Sequence, residues 1–222
     1  MTNPNLDPAQ AAAAAQFDRQ SDRYGKSHIL ADTADDIAPR MLENACQLAT
    51  EAGHAIETRL FPAEEIPFPA ASFTLVSARV APHHFSSPDR FVAEVARVLA
   101  PGGHFVLIDG TVPDDDPESE AWMHRIEKWR DPSHERFLSR AAWEDLVRRN
   151  GLTTLHSALH QKKQPDLQWY FDTANTSPAN RALVLDAIRQ ASPHVRAALH
   201  LEDNVARSIW WWPMLTLVAR KS

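Results

Sequence analysis

The chain of 222 residues is 44% hydrophobic and 23% charged, with a formal net charge of −6. That is ordinary globular material, enough for one α/β domain with a sizeable core. The acidic balance argues against a nucleic-acid groove, which shows a basic excess.

Residues 1–10 carry two prolines and read as frayed, and Ala11 to Tyr24 reads as a helix on its alanine run, with Phe17 as a large anchor. A second helix is predicted over Asp36 to Ala52, where Ile37, Met41, Ala45 and Leu48 form one apolar stripe and Gly53 can close the end. The period then changes. Ile56, Thr58 and Leu60 alternate with Glu57 and Arg59, as in a half-buried strand. Pro62, Pro67 and Pro69 precede a short apolar strand, Phe73 to Ala78. Ser87 and Pro88 open a helix as N-cap and first helical residue, with Phe91, Val95, Val98 and Leu99 as its stripe. Pro101, Gly102 and Gly103 turn the chain into another strand, Phe105 to Asp109.

Residues 117–130 are predicted as a helix bearing Trp122, Ile126 and Trp129. Ser139 caps the next, which carries Trp143, Leu146 and Val147 and ends at Gly151. Residues 152–159 read as a strand, 165–200 as mainly helical with Ser177 and Pro178 the clearest start, and Ile209 to Ala219 as a last strand broken by Pro213. Strand–helix alternation of this kind is the pattern of a parallel α/β sheet with right-handed crossovers. No repeat or low-complexity linker divides the chain, so one domain over 1–222 is predicted, with an N-terminal helical segment at 1–30 and a helical cap at 160–206. A single cysteine, Cys46, allows no intrachain disulfide, and no apolar run reaches the roughly 20 residues of a membrane span. The opening Met-Thr-Asn-Pro-Asn lacks the basic-then-apolar order of a secretory leader, so a cytoplasmic protein is expected.

Several of these stretches resemble a known family. Phe17-Asp-Arg-Gln-Ser-Asp-Arg-Tyr24, followed by Ser27-His28-Ile29, resembles the N-terminal helix of small-molecule methyltransferases that use S-adenosylmethionine (SAM). Ile66-Pro-Phe-Pro-Ala-Ala-Ser-Phe73 resembles the stretch between the third and fourth strands of the ubiquinone/menaquinone-biosynthesis C-methyltransferases. Val95-Ala-Arg-Val-Leu-Ala-Pro-Gly-Gly103, leading into Phe105 to Asp109, resembles their helix, turn and fifth strand. Arg130-Asp-Pro-Ser-His134 and Leu215-Thr-Leu-Val-Ala-Arg-Lys221 fit the same pattern. Together these place the chain, by resemblance, in the class I SAM-dependent methyltransferase superfamily.

The resemblance implies a Rossmann-like sheet whose first strand ends in a Gly-x-Gly-x-Gly turn, then a helix and a second strand ending in an acid that binds ribose. The sequence departs from this. Between His28 and Ala38-Pro-Arg-Met-Leu42, which resembles the helix after the second strand, lie the nine residues Ile29 to Ile37. A strand–helix–strand unit needs on the order of 30 residues. No glycine occurs between Gly25 and Gly53, and the family's Gly-Asp-Ala after its third strand, whose acid is expected near the adenine, is matched by Phe61-Pro62-Ala63. Asp35 or Asp36 remains as a stand-in for the ribose-binding acid, with helix N-capping the alternative. The predicted fold is therefore a truncated Rossmann-like methyltransferase fold, α/β, with a mainly parallel sheet lacking its first two strands and with added C-terminal helices. The loss exposes an apolar edge on the Phe73–Ala78 strand. Either the Ile56–Leu60 strand pairs with it or a second chain covers it, and a homodimer is the expectation.

The candidate catalytic residues are His83, His84, Asp109 and His134. The first two follow one predicted strand and Asp109 ends the next, at the carboxyl ends where open α/β sheets bind ligands. An imidazole there suits general-base work near neutral pH, the blander alternatives being one histidine capping a turn with the other solvated, and Asp109 as a loop-capping carboxylate. His134 belongs with Asp131 and Arg136 to a polar run that reads as a cleft wall or as an ordinary Asp-Pro-Ser turn. The candidate substrate-binding residues are Phe17, Tyr24, His28, Trp122, Arg136 and Trp211. Trp210, Trp211 and Trp212, with Trp122, Trp129, Trp143 and Trp169, supply aromatic surface for a flat ligand or a dimer contact, against core packing as the competing reading. No metal site is predicted, since His83, His84, Asp109 and His134 show no ligand spacing. Cys46 reads as filler on a helix flank. No cofactor-binding residue is assigned, and no cofactor is expected, SAM being the one candidate. Three functions follow: cofactor-free chemistry on an apolar or aromatic small molecule (proton transfer, elimination, ring closure or hydrolysis), SAM-dependent methyl transfer with a rebuilt or dimer-shared cofactor site, or a non-catalytic scaffold for an active enzyme. Neither nucleic acid nor membrane is an expected partner.

Overall fold

The computed structural model of the protein describes residues 39–202 and 211–222. The predicted N-terminal helix, Phe17, Tyr24, His28, Asp35, Asp36 and Trp210 lie outside the described residues. Helix α1 (Pro39–Glu51) comes first and closes on Gly53, whose φ of +76° suits a residue without Cβ. The segment after it corrects one expectation. Ile56 to Leu60 is irregular, with Ile56 42% and Leu60 36% exposed. Its side chains are satisfied locally instead: Arg59 pairs with Glu57 at 2.7 Å and lies 4.5 Å over the Phe68 ring, and Thr58 meets Cys46 at 3.5 Å.

The remaining elements are β1 (Phe73–Arg79), a 3₁₀ turn (Pro82–His84), α2 (Pro88–Val98), β2 (Leu99–Gly110), α3 (Pro117–Arg130), α4 (Arg140–Arg149), β3 (Leu152–Lys163), α5 (Leu167–Thr173), α6 (Pro178–Arg189), α7 (Pro193–Ala198) and β4 (Trp211–Lys221). The helix starts follow from side chains. Ser87, Asp116, Ser139, Asp166, Ser177 and Ser192 each accept a hydrogen bond from the backbone N–H three residues on. Each cap stabilises its helix by about 1 kcal/mol. Proline occupies the first turn of α2, α3, α6 and α7, where no N–H is required.

The strands form one sheet in the order β1-β2-β4-β3. β1 and β2 are parallel, while β4 runs antiparallel to both β2 and β3. The sheet is thus mixed rather than mainly parallel, because the late strands return as antiparallel neighbours. The outer edge of β1 meets no strand among the described residues, so the predicted pairing with Ile56–Leu60 is absent, and Leu75 on β1 is 58% exposed. β3 extends to Lys163, carried past the predicted end at 159 by its ladder to β4, so 160–163 is sheet rather than cap. Pro213 does not break β4. Its carbonyl accepts from Thr111 N–H at 2.9 Å, which aims its nitrogen at the same side, beyond the end of the β2 ladder at Gly110–Met214. A missing N–H there removes no ladder bond.

Two apolar clusters fix the layers. One joins α2 (Phe91, Val92, Val95) and α4 (Trp143, Leu146, Val147) to Phe105 and Leu107 of β2 and Leu215 and Leu217 of β4. The other gathers Trp122 and Ile126 of α3, Tyr170 and Phe171 of α5, and Val184 and Ile188 of α6. No described helix is long and apolar enough to cross a membrane.

Candidate active site

The parallel pair β1–β2 directs two carboxyl ends to the same edge of the sheet, where open α/β sheets hold ligands. The chain leaves β1 under strain. Val80 has a φ of +52°, a left-handed conformation costly for a β-branched residue, while its N–H donates to the Ile108 carbonyl at 2.8 Å. Strain of this kind gathers at functional sites. The 3₁₀ turn that follows sets the His83 and His84 rings side by side, centroids 4.1 Å apart. β2 delivers Asp109, 1% exposed, with Oδ1 2.7 Å from Nδ1 of His83. A neutral His83 therefore keeps its proton on Nδ1, donated to the carboxylate, and Nε2 is its free ring nitrogen.

The loop after α3 holds this pair from the other side. Glu135 and Arg136 both donate backbone N–H groups to the His83 carbonyl, at 2.8 and 3.1 Å. Asp131 accepts from the Ser133 N–H at 2.9 Å and from its hydroxyl at 2.5 Å. His84 donates from Nδ1 to the Ser133 carbonyl at 3.0 Å. His134 is 1% exposed, its ring 5.5 Å from that of His83 and 4.7 Å from that of Phe137, and its Nε2 has no hydrogen-bond partner among the described residues. Gly110 makes the approach of Phe137 possible, since a Cβ there would sit 2.2 Å from the Phe137 ring. Gly110→Ala should therefore lower stability by about 1–3 kcal/mol through overpacking. A thermal melt unchanged from the wild type would contradict that contact.

The imidazoles are separated electrostatically. Burial disfavours the His83 cation, but the charge and hydrogen bond of Asp109, helped by Glu127 and Asp131, outweigh it and raise His83 above the ordinary imidazole value. His84 goes the other way, lowered to about 3 by burial and by the neighbouring His83 charge. Burial, then the charges of His83 and His84, hold His134 well below the usual range. Near neutral pH the cluster thus has one imidazole poised to gain a proton and two held neutral.

A pocket opens in front of His83 and His84, lined also by Val80, Gly110, Arg130 and Asp131 on one side and by Phe137, Lys162, Trp169, Trp212 and Met214 on the other. Trp212 is fixed by its indole N–H, which donates to Glu127 Oε1 at 3.0 Å, where the Tyr170 hydroxyl also donates at 2.9 Å. Arg130 closes this network by pairing with Glu127 at 3.1 Å and lying 5.2 Å over the Trp212 ring.

The structure brings together His83, His84 and Asp109 as the sequence suggested, and places His134 behind them rather than in the pocket lining. Three substrate-binding expectations are corrected. Trp122 is a core residue, 4% exposed, with its indole N–H donated to the Ala187 carbonyl at 3.2 Å. Arg136 is 57% exposed on its side chain and 3.9 Å from Glu120, outside the lining. Trp211 lies on the sheet face opposite Trp212, under Lys163 at 5.7 Å, since successive strand residues face opposite ways. Lys162 and Arg130 received no site role in the sequence, and Trp169 and Trp212 were named only within the general tryptophan set. Strand alternation alone offers two faces for the tryptophan run, and the cross-strand neighbour Lys162 becomes visible only with the β3–β4 register. Among the described residues no cluster of three or more His, Cys, Asp or Glu is suited to a metal ion.

A SAM site needs backbone close enough to the cofactor that glycine is required. Only some of the described glycines are required by close protein packing. At Gly53 and Gly151 an added Cβ would meet nothing within 4 Å; at Gly103 it would meet backbone of its own turn and of β1, and at Gly110 it would meet Phe137. Glu64, the buried acid nearest in sequence to Pro62, is occupied by the Ser86 hydroxyl at 3.0 Å and the Ser87 N–H at 3.1 Å. Among the described residues no Gly-x-Gly-x-Gly turn follows a strand.

The sheet, its carboxyl-edge pocket and the flanking helices define a Rossmann-like α/β fold of the kind found in methyltransferases. A family model described as "Methyltransferase domain" matches residues 14–107. The chain is 32% identical over 183 residues to the uncharacterised protein YafE of Escherichia coli K12, spanning 80% of this chain and 85% of YafE. It is 37% identical over 118 residues to the uncharacterised methyltransferase YcgJ of Bacillus subtilis, 53% of this chain and 46% of that protein, so the sequence match spans about half of YcgJ's length. The crystal structure of YcgJ superposes with a TM-score of 0.77 at 26% identity, covering 84% of this chain and 80% of YcgJ. A ubiquinone/menaquinone biosynthesis C-methyltransferase, UbiE of Bordetella parapertussis, is 34% identical over 74 residues, 33% of this chain and 29% of UbiE. The chain belongs to the class I SAM-dependent methyltransferase superfamily.

Proposed function

We propose that this methyltransferase-fold protein binds a small planar molecule at the ends of β1 and β2 and moves a proton with His83, without SAM as a reactant. The observation that carries this reading is the buried Asp109–His83 pair, 2.7 Å apart, with Nε2 of His83 as its free nitrogen beside the pocket. Asp109 fixes the tautomer and stabilises the imidazolium that forms when Nε2 takes a proton. Returning that proton to another atom of the same substrate balances the reaction as an isomerisation, with no co-reactant. His84 and His134, held neutral, do not compete for the proton.

The lack of any glycine between Gly25 and Gly53 supports the cofactor-free part of the reading. Titration calorimetry with SAM and with S-adenosylhomocysteine should give no binding heat up to millimolar ligand. Micromolar binding would sink that part. The reading to keep would then be methyl transfer, with His83 taking the proton from the accepting nucleophile, a role in line with the methyltransferase name carried by YcgJ.

A further inference from the structure

Resting on that reading of the pocket, we propose that its substrate is an aromatic carboxylate, with the carboxylate taken by Lys162 and the ring by Trp169 and Trp212. Among the described lining residues, the charged side chains other than Lys162 have partners. Arg130 is matched by Glu127 at 3.1 Å, and His83 by Asp109 at 2.7 Å. Asp131 accepts two hydrogen bonds from Ser133. Lys162 is half-buried in the lining and has no ion-pair or side-chain hydrogen-bond partner among the described residues. Its neighbour Lys163, facing the other way, pairs with Glu202 at 3.5 Å. Burial and the adjacent Arg79 guanidinium both push the Lys162 ammonium below the usual lysine range. A ligand anion there would supply the counter-charge that the described residues do not.

The aromatic half of the proposal comes from the same strand pair. Lys162 stands directly across from Trp212 in the β3–β4 register, so both side chains rise from one face of the sheet. Trp212 meets Trp169 edge to face, ring centroids 6.4 Å apart, and Glu127 fixes the Trp212 indole by its N–H. A rigid indole pair beside an ammonium matches a flat ring bearing an anionic substituent. Phe137 and Met214 add apolar wall.

The test uses 4-hydroxybenzoate against 4-hydroxybenzamide, near-identical in shape and different in charge. Binding is followed by tryptophan fluorescence and calorimetry on the full chain. The wild type should prefer the acid by about tenfold or more, the effect of one partly desolvated ion pair. Lys162→Met should bring the ratio close to one, and Lys162→Arg should keep the preference. Circular dichroism verifies that both variants fold. Equal affinity of the wild type for acid and amide, a preference retained in Lys162→Met, or no binding of either probe at millimolar concentration would overturn the proposal. The two readings separate cleanly. An acid preference together with SAM binding keeps the substrate class and removes cofactor-free chemistry; no preference together with no SAM binding does the reverse.

Discussion

Asp109→Asn is expected to drop the His83 titration from above the ordinary imidazole value of about 6.5 to below it, and His83→Gln to reduce proton-transfer turnover by about 10²–10⁴-fold. The largest influence on His83 is burial, which opposes its charge; Asp109 reverses the outcome by its own charge and by a 2.7 Å hydrogen bond. The asparagine keeps the shape and removes the charge, so burial then dominates. Histidine-selective NMR titration reads the midpoint directly. The linkage sign is fixed by the same shift. A folded value raised above the unfolded one contributes stability that is complete below about pH 6.5 and disappears as pH rises through the folded value. The asparagine variant should therefore lose stability chiefly below that window. Turnover is read as solvent-deuterium incorporation into bound aromatic acid. A His83 that still titrates above the ordinary imidazole value in the Asp109→Asn variant would break the electrostatic account. Full deuterium incorporation by His83→Gln would remove His83 as the base.

Much of the scaffold was legible because it rests on local chemistry. Ser87-Pro88, Ser139 and Ser177-Pro178 start helices where the sequence places them, through side-chain oxygens that accept the third amide along. The Phe105–Asp109 strand lies within β2, and its odd-numbered residues are fully buried, as a central strand requires. The failures are non-local. Ile56 to Leu60 has strand periodicity, but a strand also needs a partner, and Arg59 and Thr58 find theirs in Phe68 and Cys46. Pro213 reads as a break until the Thr111 bond reveals which side of β4 its nitrogen faces. The His83–Asp109 pair was accessible from sequence because strand ends converge in parallel sheets; Lys162 was not, because its place depends on a register between strands some fifty residues apart. Trp122 misled for a related reason. A tryptophan on an amphipathic helix is equally at home in a pocket or a core, and Ala187, on a helix far along the chain, decides for the core.

Acid should unfold the protein well above the range where carboxylates alone would do so. His84 and His134 are buried and neutral in the fold, with His84 lowered to about 3 and His134 well below its usual range, both chiefly by burial. His124 is lowered in the same direction, again first by burial. A folded value below the unfolded one means that the unfolded chain binds the extra proton, so stability is present above about pH 6.5 and declines as pH falls toward the folded value. A histidine that stays neutral in the fold while its unfolded counterpart is charged contributes about 1.4 kcal/mol per pH unit, which applies to His84 down to its folded value of about 3. His84, with its folded value at about 3, removes roughly 3 kcal/mol between about pH 6.5 and pH 4, and His134 adds a loss of the same sign, a large share of an ordinary domain's stability. His83 does not offset this, being charged in both states at the lower end. Asp131 and Asp116, whose carboxyls are held below the usual range, add to the loss as pH falls further. Urea titrations at a series of pH values should show the steep dependence, and His84→Asn should flatten it by about one histidine's share. A denaturation free energy that stays level from about pH 6.5 to about pH 4 would mean that the buried imidazoles find protons, or water, that the fold as described denies them.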